Sequence, residues 1–484
     1  GTARICYSVA TISGTGYSIG GLIGWNDGGI VDQCFSTGQV EGRSFVGGLV
    51  GRNYGYGSSI GWHERSRIEF CYAQGNIIGS DKVGGLVGYN QRGTLFGCYS
   101  TGQATGDKSV GGLVGEQGYG PIRLCFWDTE TSGLSISTGG NGKTTEQLMM
   151  ADTFVGWGDG VWRIEQGRDY PRLAWEQNPG QLIGEIETRY ERGAGTVDDP
   201  YQIWTAGQLM ELAYHPDDYN KNFALMADLD MAAIDPNKIV PIGMEFVPFS
   251  GIFEGNGHIV SNFIYESEDE DYVGLFGYVG HMFSKWTEHE GVIQDLHLVN
   301  IRIHGKNQVG GIAGRCSGTV NACSVTGDIQ GKEIIGGLVG KNFGIIRQCW
   351  TATSVTGEQH TGGLAGYHGN IDEYRPGLID SCYVIGDVRG VINTGGLAGF
   401  NYNGWIQSCY SHAQVAGDNT VGGLVGLNET FGGIVRSYSK GSVTGNSNIG
   451  GLVGIGETRC TFMSFWDIDT SGVLSSAGGN GKTT

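Results

Sequence analysis

The sequence predicts an all-β protein, a parallel right-handed β-solenoid, and three observations carry that expectation. Ninety of the 484 residues are glycine, roughly 19% where about 7% is usual. The pattern Gly-Gly-(Leu/Ile)-x-Gly occurs ten times, first at Gly20, Gly47, Gly84 and Gly111 and again from Gly310 to Gly450. Copies within each block lie 26 to 28 residues apart, apart from two gaps of 37 and 33. A unit of that length, made of short apolar runs broken by glycine, cannot bury its own inner face. Stacked on itself it can, since each coil pairs its backbone with the coils on either side, about 4.8 Å away. A β-propeller blade would need about 40–45 residues.

Composition narrows the field further. Each glycine inside a helix costs roughly 1 kcal/mol relative to alanine, which excludes a helical bundle. Collagen needs glycine at every third position, and here glycines come in pairs. Charged residues make up 16% and aromatics 11%, the wrong balance for a disordered chain. The net charge of −19 repels nucleic acid and anionic lipid, so neither is an expected partner. No apolar run approaches the roughly 20 residues that span a bilayer.

Two further series run in phase with the glycines. An aliphatic residue, two others, a cysteine and usually an aromatic recur, as in Ile68-x-x-Cys71-Tyr72, Leu95-x-x-Cys98-Tyr99 and Ile346-x-x-Cys349-Trp350. Asn26, Asn53, Asn90, Asn342, Asn401 and Asn428 follow the glycine motif. In a stack these become ladders. Paired glycines suit corners, where φ > 0 or close backbone approach is needed. Asn tolerates a left-handed turn and can bond to the Asn of the next coil.

Nine of eleven cysteines share one coil position: Cys6, Cys34, Cys71, Cys98, Cys125, Cys323, Cys349, Cys382 and Cys409, with Ser437 and Ser464 completing the series. In-register stacking sets their β-carbons near 4.8 Å with parallel bonds, whereas a disulfide wants about 3.8 Å and converging ones. Free thiols are expected. Strict alternation puts Cys on the face opposite the aliphatic and the aromatic, and a bend between them reverses this; both arrangements fit.

These motifs resemble the bacterial GLUG-motif repeat. The resemblance rests on Val-Gly-Gly-Leu-Val-Gly at 46–51, 83–88, 110–115 and 421–426, after segments such as Cys98-Tyr99-Ser100-Thr101-Gly102. Residues 196–263, with Asp198-Asp199-Pro200-Tyr201 and Phe253-Glu254-Gly255-Asn256-Gly257-His258, look like the lead-in of such arrays. The resemblance implies a secreted or surface-attached protein, as in haemagglutinin-like adhesins and some IgA-specific metallopeptidases. It is nearly silent on activity, since one scaffold serves different jobs.

A longer period lies above the coils. Phe126-Trp127-Asp128 and Gly-Gly-Asn-Gly-Lys-Thr-Thr at 139–145 recur 339 residues later, at 465–467 and 478–484. Residues 1–138 are therefore expected to form one solenoid block, 139–200 a capping junction, 201–310 a lead-in segment and 311–484 a second block. Thr144 with Gln147, and Thr205 with Gln208, have capping-box spacing before apolar residues, so short helices are expected at about 145–155 and 205–215. Trp157, Trp162, Tyr170 and Trp175 are expected to plug the end of the first stack. Units are expected to join end to end along the solenoid axis, covalently or by docking, since an open coil is a template for another chain.

Catalytic chemistry finds little support. His289-Glu290 lacks the second His of a zinc peptidase, with Ile293 in its place. No enzyme activity is expected and no cofactor, with one calcium alternative. Asp128-x-Glu130 and Asp467-x-Asp469 resemble the opening of a calcium loop without its closing Glu; Asx turns explain the same residues. The two longer coils insert residues after the glycine motif at one coil position, and such insertions project from one edge. Tyr54, Tyr56, Trp62 and His63 in one, and Tyr367, His368 and Tyr374 in the other, are candidates for glycan stacking or lateral contact. The expected role is extracellular and structural or adhesive: a surface stalk, matrix component or filament segment. A polysaccharide-binding or polysaccharide-degrading β-helix is the alternative.

Overall fold

The computed structural model describes residues 1–484 except 56–65, 119, 155, 158–159, 184–189, 191, 246, 281–290, 371–376, 430 and 457–459. Contacts divide the chain into two units, Gly1–Glu187 and Thr188–Thr484. Each unit holds a parallel β-solenoid. In the first, short strands one coil apart form five sheets of four to six strands. In the second they form four sheets of ten, thirteen, seven and six strands. Pairing is in register from coil to coil, so Ile30, Arg67 and Thr94 stack in one sheet and Ala365, Ala398 and Val425 in another. The unit boundary falls within the junction expected at 139–200, most of which packs with the first unit.

Left-handed residues make the corners, and the paired glycines do not. Ile5, Gln33, Phe70 and Leu124 have φ of 50 to 55°, each just before a ladder cysteine. Ser18, Phe45, Lys82 and Ser109, two residues before each glycine pair, form a second corner with φ of 49 to 61°. The glycine pairs serve close approach alone. A Cβ on Gly47 would lie 2.0 Å from the Val50 carbonyl oxygen, and one on Gly48 would lie 2.2 Å from that of Gly85. No real Cβ tolerates such distances, which is why the motif recurs ten times down the two stacks.

The corner before each cysteine settles which way it points. Ile68 and Cys71 are both fully buried and share the first unit's main core with Leu49, Leu86 and Leu113. Tyr72 turns to the opposite side. All eleven cysteines are free. Each ladder side chain accepts the backbone N–H of the cysteine one coil back: Cys34 N–H donates to Cys71 Sγ at 3.4 Å, and Cys382 N–H to Cys409 Sγ at 3.4 Å. Its own S–H donates to the carbonyl two residues earlier, as Cys71 does to Glu69 at 3.0 Å. A hydroxyl does both jobs, so Ser437 accepts from Cys409 N–H at 3.1 Å and Ser464 from Ser437 N–H at 3.1 Å. Burial pushes the thiols of Cys71, Cys125, Cys349, Cys382 and Cys409 well above their ordinary value, so they stay protonated and able to donate.

The asparagine ladder forms as expected. Asn26 Nδ2 donates to Asn53 Oδ1 at 2.9 Å and Asn53 to Asn90 at 2.8 Å. In the second unit Asn401 donates to Asn428 at 2.7 Å. Both helices start where the capping boxes place them. Helix α1 (Thr145–Leu148) is capped by Thr144 with Gln147, and α2 (Ala206–Tyr214) by Thr205 with Gln208. The apolar side of α2 is buried through Leu209, Met210, Leu212 and Ala213.

The tryptophan-rich segment after α1 lies elsewhere than expected. Instead of plugging the stack end, the described residues of 148–176 run back along the side of the first stack as a strap. Tyr7, Phe35, Tyr72, Tyr99 and Phe126 form an outward aromatic ladder, one per coil. Trp157 packs on Phe126 and Tyr99, Trp162 on Tyr99 and Tyr72, and Trp175 on Phe35 and Tyr7. An outward aromatic row is itself an unburied apolar stripe, so a chain with matching aromatics gains more by covering it than by covering one coil end.

Candidate functional site

In each unit the coil edge that carries the insertion is lined by rings and cations. The residue just before each ladder asparagine points outward, and in the first unit these are Trp25, Arg52 and Tyr89, paired in register. The Arg52 guanidinium stands 5.0 Å from the Trp25 ring centre, 5.0 Å from Tyr54 and 5.7 Å from Tyr89. It also donates to Gln91 Oε1 at 2.9 Å. Lys82 lies 5.0 Å from Tyr89 and pairs with Glu116. The second unit repeats the scheme with different residues. Arg315 sits 5.0 Å from Tyr278 and 5.1 Å from Phe343. Lys341 sits 5.2 Å from Phe343 and 4.9 Å from Tyr367. Burial lowers the Lys341 pKa, and the neighbouring Arg315 lowers it further. Cations held over ring faces in this way gain about 0.5–2 kcal/mol each.

Of the candidates at this edge, Tyr54 and Tyr367 join the stripe. Tyr56, Trp62, His63 and Tyr374, like His289 and Glu290, lie outside the described residues. His368 is not a surface contact. It takes the asparagine place in its coil, fully buried, with Nδ1 3.0 Å from Asn342 Nδ2 and Nε2 3.2 Å from the Trp405 carbonyl. Burial pushes its pKa down to about 4. Arg52, Lys341, Arg315 and Phe343 were missed in the sequence. The signal that could have found four of the stripe positions, Trp25, Arg52, Tyr89 and Lys341, is their place one residue before Asn26, Asn53, Asn90 and Asn342.

The acidic candidates are spent on local structure. Asp128 Oδ1 accepts the N–H groups of Glu130 and Thr131 at 2.9 and 3.0 Å. Its Oδ2 accepts hydroxyls from Thr145 at 2.7 Å and Tyr170 at 2.6 Å. Glu130 accepts the Thr145 N–H at 3.0 Å. Four donors leave a buried carboxylate no lone pairs for a cation. Asp467 likewise takes the N–H of Asp469 at 3.0 Å and of Thr470 at 3.2 Å, and the Thr484 hydroxyl at 2.8 Å. The Thr484 hydroxyl, foremost, holds its pKa below the ordinary carboxylate value. Both aspartates are Asx caps, and no group of three metal-ligating side chains occurs among the described residues.

With coil, ladders and stripe in place, the comparisons with known proteins fall into order. The family described as the GLUG motif matches residues 15–41 and 80–105, two coils of the first unit with one coil between them. The chain carries the GLUG motif. Beyond it, this GLUG-motif chain is 29% identical over 155 residues to halomucin of Haloquadratum walsbyi, spanning 30% of the chain and 2% of that protein. It is 34% identical over 151 residues to a protein named as a Gly-rich membrane protein of Evansella cellulosilytica, spanning 30% of the chain and 16% of that protein. The chain thus spans a small fraction of the length of these relatives. A crystal structure titled "a putative immunoglobulin A1 protease from Bacteroides ovatus" aligns with 61% of the chain and 87% of its own, at 20% identity and a TM-score of 0.45. Among the described residues, no helix is long and apolar enough to cross a membrane.

Proposed function

We propose that the chain is an extracellular structural or adhesive β-solenoid, a segment of a surface stalk, matrix protein or head-to-tail filament, without a catalytic step of its own. The observation that carries this reading is the continuity of the ladders. Aliphatic, thiol, amide and aromatic rows run from coil to coil in each unit, so the side chains that recur are those that bond neighbouring coils. Relatives named for a mucin and for a membrane protein support a place at or beyond the cell surface. The ten-stranded sheet of the second unit spans about 43 Å at about 4.8 Å per strand, a spacer lengthened simply by adding coils. In each unit the cation–aromatic stripe, with Tyr54 in the first and Tyr367 in the second, is the face that would meet a surface glycan or a neighbouring molecule.

Negative-stain imaging of the purified chain, with an assay on soluble polysaccharides, tests the proposal. Rods or fibres without cleavage are expected. Compact, dispersed particles that depolymerise a polysaccharide would overturn it in favour of a lyase or hydrolase.

A further inference from the structure

The second unit has its own aromatic ladder, and among the described residues no strap covers it; only His412 packs against two of its rings, Tyr410 and Tyr438. Trp350, Tyr383, Tyr410, Tyr438 and Phe465 stack in register, one per coil, five rungs against five in the first unit. Yet Tyr72 and Tyr99 are 0% exposed, whereas Tyr438 is 39% and Phe465 38% exposed. Met463, one long repeat after Leu124, is 73% exposed. Leu124 packs against the strap, and its carbonyl accepts from Trp157 Nε1 at 2.8 Å. An open cleft lined by Tyr438, Ser439, Lys440, Phe465, Trp466 and Asp467 lies beside the last rungs.

We propose that this ladder is the docking face for a second strap with the chemistry of residues 146–176, continuing in the same polypeptide from Thr484. The reading does not depend on the structural role proposed above. Its first support is the exit geometry. In the first unit the chain leaves its last coil with the Thr145 hydroxyl on Asp128 and the Thr145 N–H on Glu130. Thr484 repeats both bonds, its hydroxyl on Asp467 at 2.8 Å and its N–H on Asp469 at 2.9 Å. A residue placed after Thr484 is thereby aimed as Glu146 is, towards its own ladder.

Ring geometry is the second support. Trp350, Tyr383, Tyr410 and Tyr438 lie 5.0 to 5.8 Å apart with planes within 9°, so neighbours occupy each other's faces. What remains open is a row of ring edges, which carry the positive end of the quadrupole. A sugar docks on ring faces and finds few here. Tryptophans of a strap meet the edges at an angle, as Trp157 and Trp162 do at 34 to 56° to Tyr72 and Tyr99. Polar anchors are also matched in kind. The Tyr72 hydroxyl donates to Glu176 at 3.0 Å and that of Tyr99 to the Pro171 carbonyl at 2.6 Å. Tyr410 offers a hydroxyl on the rung of Tyr72, and Tyr438, whose hydroxyl lies 3.3 Å from His412 Nε2, one on the rung of Tyr99.

The test extends the full chain by a second copy of residues 146–183 after Thr484 and follows amide exchange and proteolysis. The expected result is at least about tenfold slower exchange in strands Trp350–Thr356, Tyr383–Arg389 and Tyr438–Ser439, with the appended segment resistant to protease. Replacing the two tryptophans of the appended copy that correspond to Trp157 and Trp162 by alanine should abolish both effects, and cannot unfold the parent chain. Unchanged exchange in these strands, or an appended segment cut as fast as its alanine variant, would overturn the proposal. So would protection that appears only as concentration rises, since the occupant would then come from another molecule. Protection by added oligosaccharide in the unextended chain, with none from the strap, would overturn it too.

Discussion

The two units stack the same coil and differ in what lies against it. In the first, four of five outward aromatics, Phe35, Tyr72, Tyr99 and Phe126, are buried beneath a strap, and only the first rung, Tyr7, stays exposed. In the second, an equal row meets solvent at Tyr438 and Phe465. Coil architecture therefore does not by itself decide whether the aromatic face is core or surface; a segment outside the repeat decides it. Substitution should expose the difference most strongly. Trp162→Ala, at a side chain 0% exposed between Tyr72 and Tyr99, should destabilise the first unit by about 3–5 kcal/mol. Tyr438→Ala should cost the second about 1 kcal/mol, because much of that ring is already wet. Segment-resolved hydrogen exchange under denaturant measures both, and equal losses would erase the distinction.

Acid should separate the units next. The amide ladder of the first unit is made of Asn26, Asn53, Asn90 and Gln117, none of which titrates. In the second, His368 stands in the ladder with its pKa lowered to about 4 by burial. Its folded pKa lies below the unfolded value near 6.5, so the unfolded state binds the extra proton first as pH falls. The stability it contributes is complete above pH 6.5 and is lost between there and about 4, to a total of about 3 kcal/mol. His360, lowered in the same direction by burial, adds to the slope. Urea titrations at pH 7 and pH 4.5 should show the second unit weakening more than the first. In His368→Asn most of that excess should vanish.

The sulfur ladder gives a smaller contrast. Cys349→Ala leaves the Cys323 N–H without its acceptor, a loss of about 1–3 kcal/mol. Cys349→Ser, reproducing what Ser437 and Ser464 already do, should cost under about 1 kcal/mol. Thiol titration of the unfolded, unreduced chain should find all eleven. The smallest expected effect is a gain. Thr361 and Thr394 hold the place that Val46 and Val83 hold in the first unit, and their buried hydroxyls find no hydrogen-bond partner among the described residues. Thr361→Val should stabilise the second unit by about 1 kcal/mol, read as a shift in its urea midpoint.

What the sequence disclosed follows from which interactions demand a residue type. Capping requires a hydroxyl three residues before a Gln, so the starts of both helices were legible, whereas the end of the first, at Leu148 and not near 155, was not. In-register amides require Asn, so that ladder was legible. The corner before each cysteine was not, because it is filled by Ile5, Gln33, Phe70, Gly97 and Leu124. Stacking enforces the left-handed turn there whatever the side chain, and the direction of the thiol stayed hidden with it. The strap's aromatics were visible but their destination was not, since side and end of a stack are both apolar. His368 was read as an edge aromatic because only coil alignment shows it in an asparagine's place.

One property of the thiol ladder reaches beyond the finished fold. Every rung points the same way: the corner N–H of one coil donates to the sulfur or hydroxyl of the coil that comes later in the chain. Such a row has an arrow, and its two faces are not interchangeable. A chain emerging from its N-terminus would complete each corner only when the following coil arrives, leaving the corner donor open until then along with the other N–H groups that await that coil. Construction of this kind proceeds like zipping, one tooth at a time. A thiol oxidised ahead of the front loses the S–H that donates to the carbonyl two residues earlier, a loss to which the rungs at Ser437 and Ser464 are immune.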